Sequence, residues 1–477
     1  MERISRMRCW GVGLMALALA VGGGLSLRAA DIVWDEAQIV GRTQDDRVFF
    51  KPGEEMVFTL RIEGAKGTLP PDAYFVRWKR LGDDGKVEEG RVPASLTEPF
   101  EVRTKLDAPG FVYLLAEVVD AKGKVIPKNH RWEKRVFFGG GAGVEPEKLQ
   151  GWPEPKDFDA HWQAEKARLA AQPMEVLEKR ELPCQNPQLR LYAVKVNVPD
   201  GYLPMTGYMA VPKAASATNR VHAIVSYMGY GNEAQKVYAY QTNRVNGIRL
   251  IVNRHGEELG NEDPEYRKQF KTGPNIIAAP YFRGMVFRDL RALQFVKSLP
   301  EWNGVDLLVS GNSGGGMQSI WMAALDTDVS RLEFGIACCG DLNGNKYGRL
   351  RATFRPTESD DLGYYDICNF ARRVWCDTKI SSARLGDRTS PPASLAIVYN
   401  NLRGRKQITW DQGWTHGWEP AGMAKETIKN DSRDVVPSAA WNGRLWVVAG
   451  SEAAARRLEQ TGAAVVRYTP SAETAPL

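Results

Sequence analysis

One serine stands where a nucleophile is easily built. In Gly311-Asn312-Ser313-Gly314-Gly315-Gly316 it joins the apolar run Leu307-Leu308-Val309 to a segment of helical character from Gly314 through Leu325. A serine on such a strand–turn–helix junction occupies a tight turn that exposes its hydroxyl, and flanking glycines let strand and helix pass closely. The helix N-terminus also sets backbone N–H groups around developing negative charge. Both features suit acyl transfer through a serine. A bare Gly-x-Ser-x-Gly also arises by chance in a chain rich in glycine, so the flanking strand and helix carry the argument.

A serine nucleophile needs a base. The chain has five histidines, and only His416 follows Ser313. At such a junction the chain order is serine, acid, histidine, with the histidine on a loop after the last sheet strand. Lys406 to Trp410 reads as that strand, and His416 follows within Gly413-Trp414-Thr415-His416-Gly417-Trp418. His130, His161, His222 and His255 fall outside the required order and read as structural or peripheral. Nine aspartates lie between Ser313 and His416. Asp387 is preferred as the acid because one glycine separates it from a strand-like Lys379 to Leu385, with Pro391-Pro392 opening the next helix. Asp411 is the main rival, but it lies close to His416 in sequence. The oxyanion hole is expected to combine the N–H of Gly314 with one from Met228-Gly229-Tyr230-Gly231, after the strand Val221 to Tyr227, which makes Tyr230 the second candidate.

These residues need a frame. Strand-like runs at Leu191–Val198, Gly207–Val211, Val221–Tyr227, Ile248–Val252 and Asp306–Ser310 alternate with helical spacing such as Arg288–Val296. That rhythm predicts an α/β catalytic domain over 157–436, an open, mainly parallel sheet with helices on both faces. Sites in such sheets collect at the carboxyl ends of strands. Residues 31–138 alternate with period two, as in Met56, Phe58, Leu60 and Ile62, between turn signals such as Pro52-Gly53 and Lys122-Gly123. About seven short strands of this kind predict an immunoglobulin-like β-sandwich. The glycine run Gly139-Gly140-Gly141-Ala142-Gly143 and the prolines after it predict a linker over 139–156. A C-terminal extension, 437–477, holds a strand-like Leu445 to Val448 and a helical stretch near Ala453 to Glu459, with no functional reading.

Composition bounds the setting. The 477 residues are 43% hydrophobic and 25% charged, which suits a globular chain of more than one domain. Residues 1–30 start with Arg3, Arg6 and Arg8, continue through an apolar Trp10 to Val21, and end in small residues, so a cleaved signal peptide is expected. The apolar run is short for a membrane anchor. An exported chain, periplasmic or secreted, follows as an expectation. The net charge is +6, of which the leader's four arginines and one glutamate carry half. The remainder predicts no nucleic-acid partner. Cys184, Cys338, Cys339, Cys368 and Cys376 lack the spacing of a disulfide scaffold or metal site and read as buried structural cysteines. No metal or organic cofactor is implied, and a homo-oligomer is left open.

Several motifs together resemble the acetyl xylan esterase and cephalosporin-C deacetylase family of carbohydrate esterases, within the α/β-hydrolase superfamily. They are Pro155-Lys156-Asp157-Phe158-Asp159-Ala160-His161-Trp162, Gly229-Tyr230, Tyr281-Phe282-Arg283-Gly284, the Ser313 turn, Tyr364-Tyr365-Asp366, Gly386-Asp387-Arg388-Thr389-Ser390-Pro391-Pro392 and the His416 loop. The resemblance implies an α/β-hydrolase fold, the triad Ser313, Asp387 and His416, and Tyr230 and Gly314 at the oxyanion. It also implies removal of acetyl groups from acetylated xylo-oligosaccharides or related small carbohydrates. Met228 stands where that family has histidine, Gly314 where it has glutamine, and Ser390 where a cysteine is common. Competing readings are a peptidase or other carboxylesterase on the same scaffold, and a non-catalytic glycan-binding protein that uses the sandwich. Trp414, Trp418 and Trp321 could stack on sugars, though core packing is the commoner role of such residues.

Overall fold

The computed structural model describes residues 32–128, 134–229, 239–240, 246–256, 258–260, 279–354, 360–430, 445–449 and 464–468. The leader expected over 1–30, the helical stretch near Ala453 to Glu459, His130 and Tyr230 lie outside the described residues. Among those described, no helix is long and apolar enough to cross a membrane.

Period-two patterning builds the N-terminal domain. Strands β1 (Gln38–Thr43), β2 (Phe49–Phe50), β3 (Glu55–Glu63), β4 (Tyr74–Gly82), β5 (Val87–Pro93), β6 (Phe100–Lys105), β7 (Gly110–Asp120) and β8 (Phe137–Val144) form two sheets, ordered β1-β3-β6 and β2-β8-β7-β4-β5. Every pairing is antiparallel except that of β2 with β8. In β3, Met56, Phe58, Leu60 and Ile62 are buried while Glu55, Thr59 and Arg61 face solvent. The buried four meet Val76, Val112, Leu114 and Phe138 of the other sheet in one core. Each such side chain contributes about 1.5–3 kcal/mol by leaving water. Trp414 and Met423, from the far end of the chain, pack into the same core.

The glycine run does not form the linker expected over 139–156. It lies inside β8, which is buried along its whole length between β2 and β7. Its glycines serve close approach rather than freedom of movement. A Cβ on Gly141 would stand 2.3 Å from the Val112 carbonyl oxygen and 3.0 Å from that of Leu385. Only glycine lets this strand thread between its own sheet and the second domain.

The second domain is built on a ten-stranded mixed sheet. Its strands are β9 (Val176–Leu182), β10 (Leu189–Val196), β11 (Met205–Pro212), β12 (Val221–Tyr227), β13 (Ile248–Val252), β14 (Trp302–Asn312), β15 (Arg331–Gly335), β16 (Asp377–Arg384), β17 (Lys406–Asp411) and β18 (Lys425–Asn430). The middle of the sheet, β13-β12-β14-β15-β16-β17, is parallel. Antiparallel strands flank it, β11, β10 and β9 on one side and β18 on the other. Strands β9, β15 and β18 go beyond the sequence reading. The edge strand β9 is mostly exposed and has no apolar stripe to reveal it. Helices Ala279–Ser298, Gly314–Leu325, Ile367–Ala371 and Pro392–Asn401 follow in chain order and form one connected layer. Ala239 and Tyr240 pack on the opposite face, against Leu191, Ala193, Tyr208, Ala210 and Ile251. Beyond this sheet, β19 (Leu445–Ala449) and β20 (Ala464–Tyr468) pair in parallel. All five described cysteines are free thiols, four of them buried.

A carboxyl group joins the domains. Asp83, in the turn after β4, accepts the N–H of Phe111 at 2.8 Å and that of Leu350 at 2.9 Å. Enclosure of the carboxyl lifts its pKa to about 6, against the pull of those N–H groups and of Arg349. The folded protein therefore holds a proton that the unfolded chain gives up near 3.8. The stability this contributes is complete at low pH and is lost as pH rises through about 6. An Asp83→Asn variant carries no such titration. Between about pH 4 and about pH 7 the Tm of the parent should fall relative to that of the variant, and a constant difference would refute the assignment.

Candidate active site

Strand β14 ends at Asn312 and the helix Gly314–Leu325 begins two residues later, which leaves Ser313 alone in the turn. Its backbone has φ 55° and ψ −120°, a left-handed conformation that costs a non-glycine residue on the order of 1–3 kcal/mol. The turn is held from outside. Ser313 donates its N–H to the Gly335 carbonyl at 3.0 Å, and its own carbonyl accepts from Met317 at 3.1 Å. A Cβ on Gly315 would lie 2.1 Å from the Tyr227 carbonyl oxygen, so the helix crosses the end of β12 at backbone contact.

Ser313, His416 and Asp387 come together. His416 Nε2 lies 2.9 Å from Ser313 Oγ, and His416 Nδ1 lies 2.7 Å from Asp387 Oδ2. Asp387 is fully buried, while the imidazole keeps some exposure. The other Asp387 oxygen accepts N–H groups from Thr389 at 2.7 Å and Ser390 at 2.9 Å. Ser390 donates its hydroxyl to the Ile336 carbonyl at 2.7 Å. The rival Asp411 is committed elsewhere. It accepts from Ser382 Oγ at 2.5 Å and pairs with Lys425 at 3.0 Å. The histidine loop lies between β17 and the added edge strand β18, not after the last strand.

Gly314 opens the helix beside Ser313. A side chain there would require Arg254 to move, because a Cβ at 314 would fall 1.5 Å from a guanidinium nitrogen of that buried residue. Arg254 thus fills the space that a side chain at 314 would take, and it brings a positive charge beside Gly314 and the Ser313 turn. Gln318 donates to the carbonyls of Gly314 at 3.0 Å and Met228 at 3.1 Å, tying the helix to the segment that leads into Tyr230. Arg384 donates to the carbonyls of Thr415 at 2.8 Å and His416 at 3.1 Å and pairs with Glu419. Sequence reasoning missed Arg254, Gln318 and Arg384. Only Gln318 left a signal, as an amide inside a helix whose every residue is buried.

The site opens on a cleft of about 760 Å³ whose lining includes Ser226, Met228, Ser313, Ile336, Ser381 and His416. The tryptophans pack rather than line it. Trp321 is buried against Phe282, Tyr365 and Phe370, and its Nε1 donates to the Tyr365 carbonyl. Trp414 packs on the sandwich core beneath Lys425, and Trp418 lies under Lys128. His161 stacks on Tyr364 at 4.2 Å. His255 lies 2.8 Å from the Tyr281 hydroxyl, and burial, helped by Arg254 and Arg288, pushes its pKa down to about 2. Among the described residues no group of three or more His, Cys, Asp or Glu could hold a metal ion.

Comparison with known proteins gives three findings. Residues 148–336 and 344–429 match the acetyl xylan esterase (AXE1) family. Over 290 residues the chain is 27% identical to the acetyl esterase Axe7A of Xylanibacter ruminicola, covering 56% of this chain and 64% of that protein. It therefore spans less than two thirds of that relative's length. Among solved structures, an acetyl xylan esterase from Paenibacillus sp. R4 is 20% identical with a TM-score of 0.49, covering 58% of this chain and 94% of that one. Acetyl xylan esterase 1 from Thermoanaerobacterium sp. is 19% identical with a TM-score of 0.46, at the same coverages of 58% and 94%.

Proposed function

The chain belongs to the acetyl xylan esterase family, and from that premise we propose that it is a serine carboxylic ester hydrolase. Its substrates on this reading are acetylated xylo-oligosaccharides or related small acetylated carbohydrates. The observation that carries the proposal is the continuous hydrogen-bonded series Ser313–His416–Asp387, opening on a cleft at the carboxyl ends of parallel strands.

The chemistry runs in two halves. His416, oriented by Asp387, takes the Ser313 proton as the hydroxyl oxygen attacks the ester carbonyl. The Gly314 N–H, with Tyr230 as the second donor, holds the oxyanion. The C–O bond to the sugar then breaks, and His416 protonates the departing alcohol. Water enters, gives a proton to His416 and attacks the acetyl-serine; the acyl–serine bond breaks, His416 returns the proton to the Ser313 oxygen, and acetate leaves. The buried charge of Arg254 beside Gly314 supports the same polarity at the oxyanion. Export follows the leader-like first thirty residues, and the immunoglobulin-like reading of the sandwich is supported by two mostly antiparallel sheets over one core.

The test is acetate release from acetylated xylo-oligosaccharides by the purified chain without its first thirty residues. Release supports the substrate class. Cleavage of a simple aryl acetate without release from the oligosaccharide would keep the esterase and discard the sugar. A folded sample that cleaves neither would overturn the proposal.

A further inference from the structure

The buried strand β8 belongs to the sandwich, yet its glycines touch both loops that carry the imidazole and its carboxylate. On the histidine side, Gln412 is 1% exposed and reaches across the domain joint. Its Oε1 accepts the Gly141 N–H at 3.0 Å, and its Nε2 donates to the Gly141 carbonyl at 2.6 Å. The side-chain amide thus pairs with one residue of β8 as a neighbouring strand would. The same Oε1 accepts the Gly413 N–H at 3.0 Å, which fixes the first turn of the loop leading to His416. Farther along that loop, a Cβ on Gly139 would stand 2.8 Å from the Thr415 methyl.

On the carboxylate side, the residue before Asp387 is Gly386. A Cβ there would lie 2.0 Å from the Gly139 carbonyl oxygen, and Gly386 donates its N–H to the Trp414 carbonyl at 3.0 Å. Leu385 is the residue whose carbonyl Gly141 approaches from the other side. The backbone at Leu385-Gly386 is therefore in direct contact both with β8 and with the histidine loop, while β8 reaches that loop through Gln412 and the Thr415 methyl.

We propose that β8 and Gln412 form a positioning element through which the N-terminal sandwich sets the distance between His416 and Asp387. The sandwich is on this account a working part of the catalytic centre rather than an appended glycan-binding module. The inference rests on the reading of Ser313, His416 and Asp387 as a catalytic triad. Neither β8 nor Gln412 touches substrate; they act through the two loops.

The experiment uses the chain without its leader and the substitution Gln412→Met, which keeps length and volume but removes both hydrogen bonds to Gly141. Val102→Ala, in the sandwich core away from β8, is the control for general loosening. Gln412→Asn, which keeps the amide and withdraws it by one methylene, is a second variant. Gln412→Met should lower kcat by about 10²-fold, as a displacement of about 1 Å at a catalytic group does, with KM little changed. Gln412→Asn should move kcat the same way. Val102→Ala should lower Tm and leave kcat in place.

A second readout needs no substrate. The His416 Nδ1–H bonded to Asp387 should give a far-downfield proton resonance in the parent chain, and Gln412→Met should shift or broaden it. The proposal is overturned if Gln412→Met keeps both kcat and that resonance. It is equally overturned if all three variants lose activity in step with Tm. If the parent turns over no ester, the functional reading fails separately, and the resonance still decides whether β8 sets the pair.

Discussion

Replacing Ser313 by alanine should lower kcat for acetyl release by about 10⁶-fold while leaving the fold intact. The attacking atom is the only one removed, since no described contact other than the 2.9 Å approach of His416 Nε2 uses the Ser313 hydroxyl. The turn itself is held by backbone groups, through Gly335 and Met317, and these survive the change. Alanine also meets the same left-handed conformation that serine already occupies. Melting temperature should therefore stay close to that of the parent. Residual catalysis of roughly 10³-fold over water is expected from the oxyanion donors alone. Turnover by Ser313→Ala within a factor of ten or so of the parent would exclude a covalent serine route.

Asp387→Asn should cost about 10⁴-fold in kcat, and the hydrogen-bond pattern says why. One Asp387 oxygen is taken by the N–H groups of Thr389 and Ser390. An asparagine keeps those two bonds only by turning its own oxygen toward them. Its NH₂ then faces His416 Nδ1 and donates to it. The imidazole is left with its proton on Nε2, the nitrogen that must accept from Ser313. Asp411→Asn makes the contrast, because Asp411 contacts Ser382 and Lys425 rather than the imidazole. That variant should affect stability before it affects kcat. The comparison is a pair of single-turnover and melting measurements. If Asp411→Asn lost the orders of magnitude and Asp387→Asn kept its rate, the acid would have been misassigned.

Some of this arrangement is legible without coordinates because it depends on chain order and local period. The turn at Ser313 announces itself through glycines between an apolar strand and a helix. His416 is the only histidine after Ser313. The strands of the central sheet are dense apolar runs, and the alternation in β3 shows which side chains face inward. Polar edges are harder to see. Strand β9 buries almost nothing, and β18, polar but for Ile428, pairs with β17 and brings only that residue against the core.

The glycine run shows where local reasoning stops. By composition Gly139–Gly143 is flexible, because nothing in five residues reports what backbone will press against them. The fold brings Val112, Leu385, Gln412 and Thr415 to that strand, with Gln412 meeting Gly141 across 271 residues of chain. The same limit hides Arg254, whose guanidinium meets Gly314 only once β13 lies beside β12.

By itself, then, the sequence determined the turn at Ser313, the chain order of Ser313, Asp387 and His416, the alternation that makes a sandwich and a parallel sheet, and the family. These are properties of neighbours along the chain, set by backbone sterics and by the period of apolar side chains. Only the tertiary structure supplied the contact of His416 with Asp387 and the commitment of Asp411 to Ser382 and Lys425, the filling of the Gly314 wall by Arg254, and the union of sandwich and site across β8. Each of those is a contact between distant segments, and its energy depends on an approach of a few ångströms that no local pattern encodes.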